Sequence, residues 1–282
     1  MNRISELFIG CNSEYKDAKI VIFGAPYDST TSYRPGTRYA SRAMRTESIY
    51  GMESYSPYQD KDLADLKVND SGDIELAFGN SLKAVNDIEK CATDILNHNK
   101  IPVMIGGEHL VSLGTVKAIV KKYPNVNIIH FDAHLDLREE ILGETLSHGT
   151  VMRRIWDIIG DNRIFQFGIR SGTKEEFNFA SKHVVTNRYN LNGLDDVIKK
   201  LTGKPVYVSL DLDVLDPSIM PGTGTPEAGG VMFKELLDAI IKIGKLNIVG
   251  YDINELSPVL DNSGSSTVVA CKLLREILIS IA

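Results

Sequence analysis

The sequence predicts an α/β protein built on a parallel sheet, and three observations carry that expectation. Short β-rich apolar runs alternate with helix-length amphipathic segments along most of the 282 residues, the pattern of repeated βαβ units. The runs read as strands buried on both faces. The chemistry-bearing residues follow those runs directly, at the carboxyl edge where open parallel sheets bind ligands.

In chain order, Lys19 to Gly24 is an apolar, β-branched strand, and Lys67 to Asp70 a shorter one. Leu82 to Asn97 carries apolar residues at helical spacing. Ile101 to Gly106 then reads as a strand, His109 to Lys122 as a helix and Val126 to Phe131 as a strand. Helical spacing returns over Thr145 to Ile159, followed by a strand at Arg163 to Ile169 and a short one at His183 to Thr186. Gly193 to Leu201 is helical, Pro205 to Leu210 a strand, Val231 to Gly244 helical, Leu246 to Tyr251 a strand, and Ser265 to Ile281 the final helix. No linker, repeat or low-complexity segment interrupts this order, so one domain over residues 1–282 is expected. A closed (β/α)8 barrel has the same strand count and the same site polarity, and periodicity alone leaves the two open.

Composition narrows the function. The chain is 43% apolar and 24% charged with a formal net charge of −6, so it lacks the basic stripe that a nucleic-acid surface needs. Lys121-Lys122 and Lys199-Lys200 fall near the ends of helical segments, where cations complement the helix dipole. No apolar run approaches the roughly 18 residues of a membrane-spanning helix, and the opening residues lack a secretory apolar stretch. Three widely spaced cysteines, Cys11, Cys91 and Cys271, fit reduced packing residues in a cytoplasmic protein.

Two clusters of metal-grade side chains dominate the chemistry: Asp132-Ala-His134-Leu-Asp136 and Asp211-Leu-Asp213. Strand alternation puts residues i, i+2 and i+4 on one side. Asp132, His134 and Asp136 are therefore expected to converge on one point, and Asp211 and Asp213 on another. Burying that many like charges without a cation is prohibitively costly. A third strand ends in Gly106-Gly107-Glu108-His109, offering a sixth ligand at the same edge. Four carboxylates and two imidazoles favour Mn²⁺ or a similar ion, and the absence of cysteine argues against structural zinc. Two cations sharing carboxylates would neutralise the aspartates and activate water at neutral pH. His148, in Ser147-His-Gly-Thr150, is the candidate proton carrier, because histidine titrates near working pH. His130 shares the parity of Asp132 but lies deeper in its strand, where support is expected rather than ligation.

These motifs, together with Ser209-Leu-Asp211-Leu-Asp213-Val-Leu-Asp216-Pro217 and Pro221-Gly-Thr-Gly-Thr225-Pro226-Glu-Ala-Gly229-Gly230, resemble the ureohydrolase family of arginases and agmatinases, from about Phe23 to Leu274. The resemblance implies a three-layer α/β/α fold with an eight-stranded parallel sheet, against the barrel. It implies two Mn²⁺ per chain, one held by His109, Asp132, Asp136 and Asp211 and the other by Asp132, His134, Asp211 and Asp213. It further implies that Asp136 orients the attacking hydroxide, that Glu255 pairs with the substrate guanidinium, and that Thr225 orients Glu255. A homo-oligomer, trimer or hexamer, is also implied.

The substrate is the finer question. The Ser-Gly-Asn-type stretch and the acidic residue after Gly-Leu-Arg that mark arginases are absent; here the segments read Leu137-Arg-Glu-Glu-Ile-Leu-Gly-Glu-Thr-Leu-Ser-His148 and Gly168-Ile-Arg170-Ser-Gly172. Pro26-Tyr-Asp28, Arg34-Pro-Gly-Thr-Arg38 and Ser147-His-Gly-Thr150 look like agmatinase, so agmatine, cleaved to putrescine and urea, is the expected substrate. Glu139, Glu140 and Glu144 could attract its ammonium. Arg138 keeps guanidinobutyrate as an alternative, since it could bind a carboxylate, and arginine or formiminoglutamate remains behind both. A metal-dependent deacylase or phosphoesterase would also use a carboxylate-rich site but has no use for Glu255, and a phosphatase would want basic residues near the metals.

Overall fold

The computed structural model describes residues 6–282. Its strands, in chain order, are β1 (Ile20–Gly24), β2 (Tyr55–Ser56), β3 (Lys61–Asp62), β4 (Val68–Asp73), β5 (Ile101–Ile105), β6 (Asn127–Phe131), β7 (Ile164–Ile169), β8 (Val185–Arg188), β9 (Pro205–Asp211) and β10 (Asn247–Asn254). Eight of them form one sheet in the order β4-β1-β5-β10-β9-β6-β7-β8, with every neighbouring pair parallel. The sheet has two free edges, β4 and β8, so it is open and not a barrel. β2 and β3 make a separate antiparallel pair.

Helices cover both faces. Residues from α1 (Ala40–Gly51), α6 (Leu194–Leu201), α7 (Phe233–Ile243) and α8 (Ser265–Ile281) pack in one apolar cluster. Residues from α2 (Ser81–Asn97), α3 (Ser112–Lys122), α4 (Val151–Ile159) and α5 (Lys174–His183) pack in a second. The central strands are buried along their length, as a sheet clad on two faces requires. This is the three-layer α/β/α architecture.

Two helices lacked an apolar signal in the sequence. α1 buries Ala40, Ser41, Met44, Arg45 and Ser48, a face that is mostly small or polar. Its Arg45 lies 2.8 Å from Asp70 Oδ2 and 2.9 Å from Oδ1, on edge strand β4, so an ion pair does what apolar periodicity does elsewhere. α5 buries only Glu176 and Ala180 and announces itself through its cap: Thr173 accepts from the Glu176 amide while Glu176 accepts from the Thr173 amide, the reciprocal box that satisfies two orphan donors. The helix expected from Thr145 starts later, because Ser147 caps a 3-10 turn over His148–Thr150 before α4 begins. Cys11, Cys91 and Cys271 are unpaired. No helix among the described residues is long and apolar enough to cross a membrane.

Candidate metal centre

The four central strands, β5, β10, β9 and β6, end side by side, and their carboxyl ends supply the site. β5 runs into Gly106-Gly107-Glu108-His109. A Cβ on Gly106 would overlap the Asn254 side chain, and one on Gly107 would overlap the Tyr27 backbone. Only glycine permits an approach this close. The carbonyl of Gly107 then accepts from the Glu255 amide at 3.0 Å, and the Tyr27 carbonyl from the Glu108 amide at 2.8 Å. His109 opens a 3-10 turn that leads into α3.

Strand alternation does not bring the aspartates together. β6 ends at Phe131, and residues 132–136 form an irregular segment in which Asp136 takes the left-handed conformation, φ 53°. β9 ends at Asp211, and a 3-10 turn over Leu212–Val214 redirects Asp213. Nor are there two separate groups, one per segment. His109 Nδ1 lies 3.1 Å from Asp132 Oδ2, 3.3 Å from Asp136 Oδ2 and 3.1 Å from Asp211 Oδ2. His134 Nδ1 lies 2.9 Å from Asp213 Oδ2 and 3.5 Å from Asp132 Oδ1. Each imidazole thus gathers carboxylates from both segments, and Asp132 turns one oxygen toward each.

The donors fit a pair of cations. His109 Nε2 sits 2.9 Å from Ser209 Oγ, whose own proton goes to Asp252 Oδ1 at 2.7 Å. Ser209 must therefore accept, His109 must carry its proton on Nε2, and Nδ1 presents a lone pair. That lone pair faces three carboxylate oxygens and, though fully buried, has no hydrogen-bond partner. A lone pair aimed at anions is repulsive unless a positive charge stands between them. The same crowding makes the donors compete for protons. Burial, with Asp213 and Asp132 alongside, pushes Asp211 well above the usual carboxylate range. Without a metal a proton supplies that positive charge: burial opposes a charged His109, yet contacts to Asp132, Asp136 and Asp211 through Nδ1 outweigh it and raise the ring well above the ordinary histidine value, so proton and cation compete for the same lone pair.

His130 also reaches this cluster, its Nε2 lying 2.8 Å from Asp132 Oδ2, and it groups with His109 and Asp132 as a possible ligand set. Gln166 decides its role. The Gln166 amide nitrogen donates to the Leu135 carbonyl at 2.8 Å, and its oxygen accepts from Thr186 Oγ1 at 3.1 Å. The nitrogen is thereby fixed as the atom 3.1 Å from His130 Nδ1. Nδ1 must then accept, Nε2 carries the proton, and His130 donates to Asp132. It supports a carboxylate, as its depth in β6 suggested.

Beside the cluster lies a cavity of about 250 Å³ whose lining includes Glu255, Thr225, His148, Arg138 and Glu176. Glu255 follows β10 in the left-handed region, φ 63°, and its Oε1 accepts from the His109 amide at 2.8 Å. Burial and the nearby Glu108 push its carboxyl well above the usual range. Thr225 does not orient Glu255 as expected; its hydroxyl lies 3.5 Å from Asp213 Oδ2, because Arg34 pins the preceding carbonyls of Thr223 and Gly224 at 2.8 and 3.1 Å. His148 is half-buried with Ser147 Oγ 3.2 Å from Nδ1 and Ser32 Oγ 3.1 Å from Nε2, and desolvation holds it below the ordinary histidine value.

Residues 18–280 match the family described as the arginase family. The chain belongs to the arginase family. It is 48% identical over 279 residues to a Bacillus cereus protein named agmatinase, covering 97% of this chain and 96% of that one. It is 35% identical to a Pseudomonas aeruginosa guanidinobutyrase, covering 90% and 84% of the two chains. Among solved structures, the agmatine ureohydrolase of Thermoplasma volcanium superposes with a TM-score of 0.90 at 33% identity, over 99% of this chain and 95% of that one. The protein is therefore a ureohydrolase, an enzyme that acts on a small guanidino substrate, built on the arginase-like fold the sequence implied.

Within this arginase-family frame, several supporting residues carried no assigned role in the sequence. Gln166 is a polar residue in the middle of an apolar strand, and Ser209 lies two positions before Asp211 on the same strand face; both are signals that periodicity could have given. Arg170 is subtler. Its guanidinium donates to the carbonyls of Asp213, Val214, Leu215, Gly168 and Glu227, holding the turn that aims Asp213. Nothing local marks that arginine, because all its acceptors but Gly168 lie more than forty residues on, at 213–215 and 227.

Proposed function

We propose that the protein hydrolyses agmatine to putrescine and urea with two Mn²⁺ ions. One would be held by His109, Asp132, Asp136 and Asp211, the other by Asp132, His134, Asp211 and Asp213. When bound, such a pair supplies Lewis acidity and lowers the pKa of a water molecule at neutral pH. The chain's own residues do the rest. Glu255 pairs its carboxylate with the guanidinium and holds the carbon facing the aspartates. Asp136 accepts a hydrogen bond from the attacking oxygen and fixes its direction. Addition at that carbon opens a tetrahedral species, and the C–N bond to the alkylamine breaks as that nitrogen takes a proton. His148 carries the proton: its depressed pKa leaves the ring neutral at pH 7, free to take the proton of the newly added hydroxyl as the urea C=O forms and to pass it to the leaving amine. Thr225, which shares the cavity, contacts the substrate.

The single observation that carries this reading is the buried Glu255 carboxylate beside two imidazole-centred carboxylate groups. A guanidinium needs that acid, and an acyl or phosphoryl substrate does not. The choice of agmatine rests on the agmatinase relative and on the cavity mouth. There Arg138 Nε lies 3.4 Å from the buried Glu176 carboxylate, so the cation at the mouth is already partly neutralised. Arg138 is nevertheless about half exposed, which supports 4-guanidinobutyrate as a second reading. Urea release from agmatine, arginine and 4-guanidinobutyrate with added Mn²⁺ tests both. Agmatine preferred by tenfold or more in kcat/KM supports the first, 4-guanidinobutyrate preferred supports the second, and no urea from any of the three refutes the assignment. A cytoplasmic trimer or hexamer belongs to the same proposal, and light scattering reads the assembly.

A further inference from the structure

We propose that Glu108, acting through Thr30, is a positioning residue for His148; the inference rests on the reading of His148 as proton carrier. Glu108 is fully buried, and among the described residues no cationic side chain pairs with it. Burying an unpaired carboxylate is costly unless hydrogen bonds replace the lost water. All of its donors come from one short segment: Thr30 N at 2.8 Å, Thr30 Oγ1 at 2.5 Å and Thr31 Oγ1 at 3.3 Å.

That arrangement has a directional consequence. Thr30 Oγ1 owns a single proton, and Glu108 takes it. Only lone pairs remain on that oxygen, and one accepts from the His148 amide at 3.0 Å. Two residues on, Ser32 Oγ meets the other end of the same residue, 3.1 Å from Nε2 of the ring. Residues 30–32 therefore grip His148 at both its backbone and its ring tip, and Glu108 is what fixes residues 30 and 31. Because Glu108 directly precedes His109, the ligand-bearing end of β5 and the turn that carries His148 are tied by two consecutive hydrogen bonds. A displacement of about 1 Å at a reacting group can cost on the order of 10²-fold in rate, so loosening this tie is expected to slow proton delivery.

The test uses the metal-loaded full chain and a double-mutant cycle. Thr30→Val keeps the shape and removes the hydroxyl. It should lower kcat by about 10- to 100-fold, leave KM within about threefold and manganese content unchanged, and raise the solvent deuterium isotope effect on kcat. Thr30→Ser, which restores the hydroxyl, should recover most of the lost rate, while Glu108→Gln should resemble Thr30→Val. On a His148→Asn background Thr30→Val should cost nothing more, because its effect runs through the absent imidazole. Wild-type kcat in Thr30→Val, an equal loss on the His148→Asn background, or failure of Thr30→Ser to recover the rate would each overturn the positioning role. A His148→Asn enzyme with wild-type kcat would instead sink the proton-carrier reading on which the proposal stands.

Discussion

Replacing Gln166 with Leu tests the hydrogen-bond logic that excludes His130 as a ligand. The residue is fully buried in β7, and leucine fits its volume but offers no polar atom. Three hydrogen bonds disappear: to His130 Nδ1, to the Leu135 carbonyl and from Thr186 Oγ1. Thr186 is half-buried and can turn toward water, but the other two groups are left unsatisfied, at about 1–3 kcal/mol each. Added apolar burial returns about 1–2 kcal/mol. The net loss expected is therefore on the order of 1–4 kcal/mol, read by urea denaturation of the metal-free protein. His130 is also released to place its proton on either nitrogen, so Asp132 loses its donor for part of the time. Loss of such a supporting contact weakens metal binding by roughly 10- to 100-fold, measurable by competition with a fluorescent chelator. Unchanged stability and unchanged manganese affinity in Gln166→Leu would refute the reasoning, and crystallographic density for a metal on His130 would refute it more directly.

Other predictions test the cluster and its surroundings. Asp132→Ala should strip both ions at once, because Asp132 faces His109 and His134 alike; metal analysis showing one full-occupancy site would contradict that shared position. Asp261, beside the start of α8, accepts from the amides of Ser263 and Ser266 and from both hydroxyls. Partial burial opposes ionisation there, but the four donors outweigh it and lower the carboxyl to about 2. A depressed acid stabilises the fold above its unfolded pKa of about 3.9, and that contribution fades as pH falls toward 2. The melting-temperature gap between wild type and Asp261→Asn should thus be constant above pH 5 and shrink below pH 4; a constant gap down to pH 3 would rule this out.

The alternation of strands and helices was legible because six strands are short apolar runs buried on both faces. The sites at their ends were legible because ligand-type residues cluster in sequence there. Periodicity failed wherever a polar contact replaced an apolar one. Arg45 docks α1 onto Asp70, and a capping box starts α5, so neither helix carried a stripe. The two-residue rhythm that suggested how Asp132, His134 and Asp136 converge does not operate past Phe131. Their convergence comes from backbone turns whose stabilising partners lie far away in sequence: the Ala133 carbonyl accepts from the amides of Arg170 and Ser171, and the Leu135 amide donates to the Ser171 carbonyl. The ligand residues were therefore readable one by one, and their mutual geometry was not.

That geometry carries a stability cost which Glu255 makes measurable. Its backbone sits at φ 63°, a conformation costing a non-glycine residue on the order of 1 kcal/mol, and its carboxylate is buried near Glu108 and Asp213. A strand continuing past Asn254 would have removed that strain; the reversal is held by the Glu255 amide on the Gly107 carbonyl and by Oε1 on the His109 amide. Glu255→Gln keeps the amide contact, an oxygen acceptor and the same length, and removes one of several like charges. The metal-free variant should therefore be more stable than wild type by about 1–2 kcal/mol in chemical denaturation, as is common when a functional charge is neutralised. It should at the same time lose at least about 10²-fold in kcat/KM, because a neutral amide pairs poorly with a guanidinium. A variant that is both less active and less stable would mean that Glu255 is held for packing, and that the excess of buried negative charge is not what the fold sustains for its substrate.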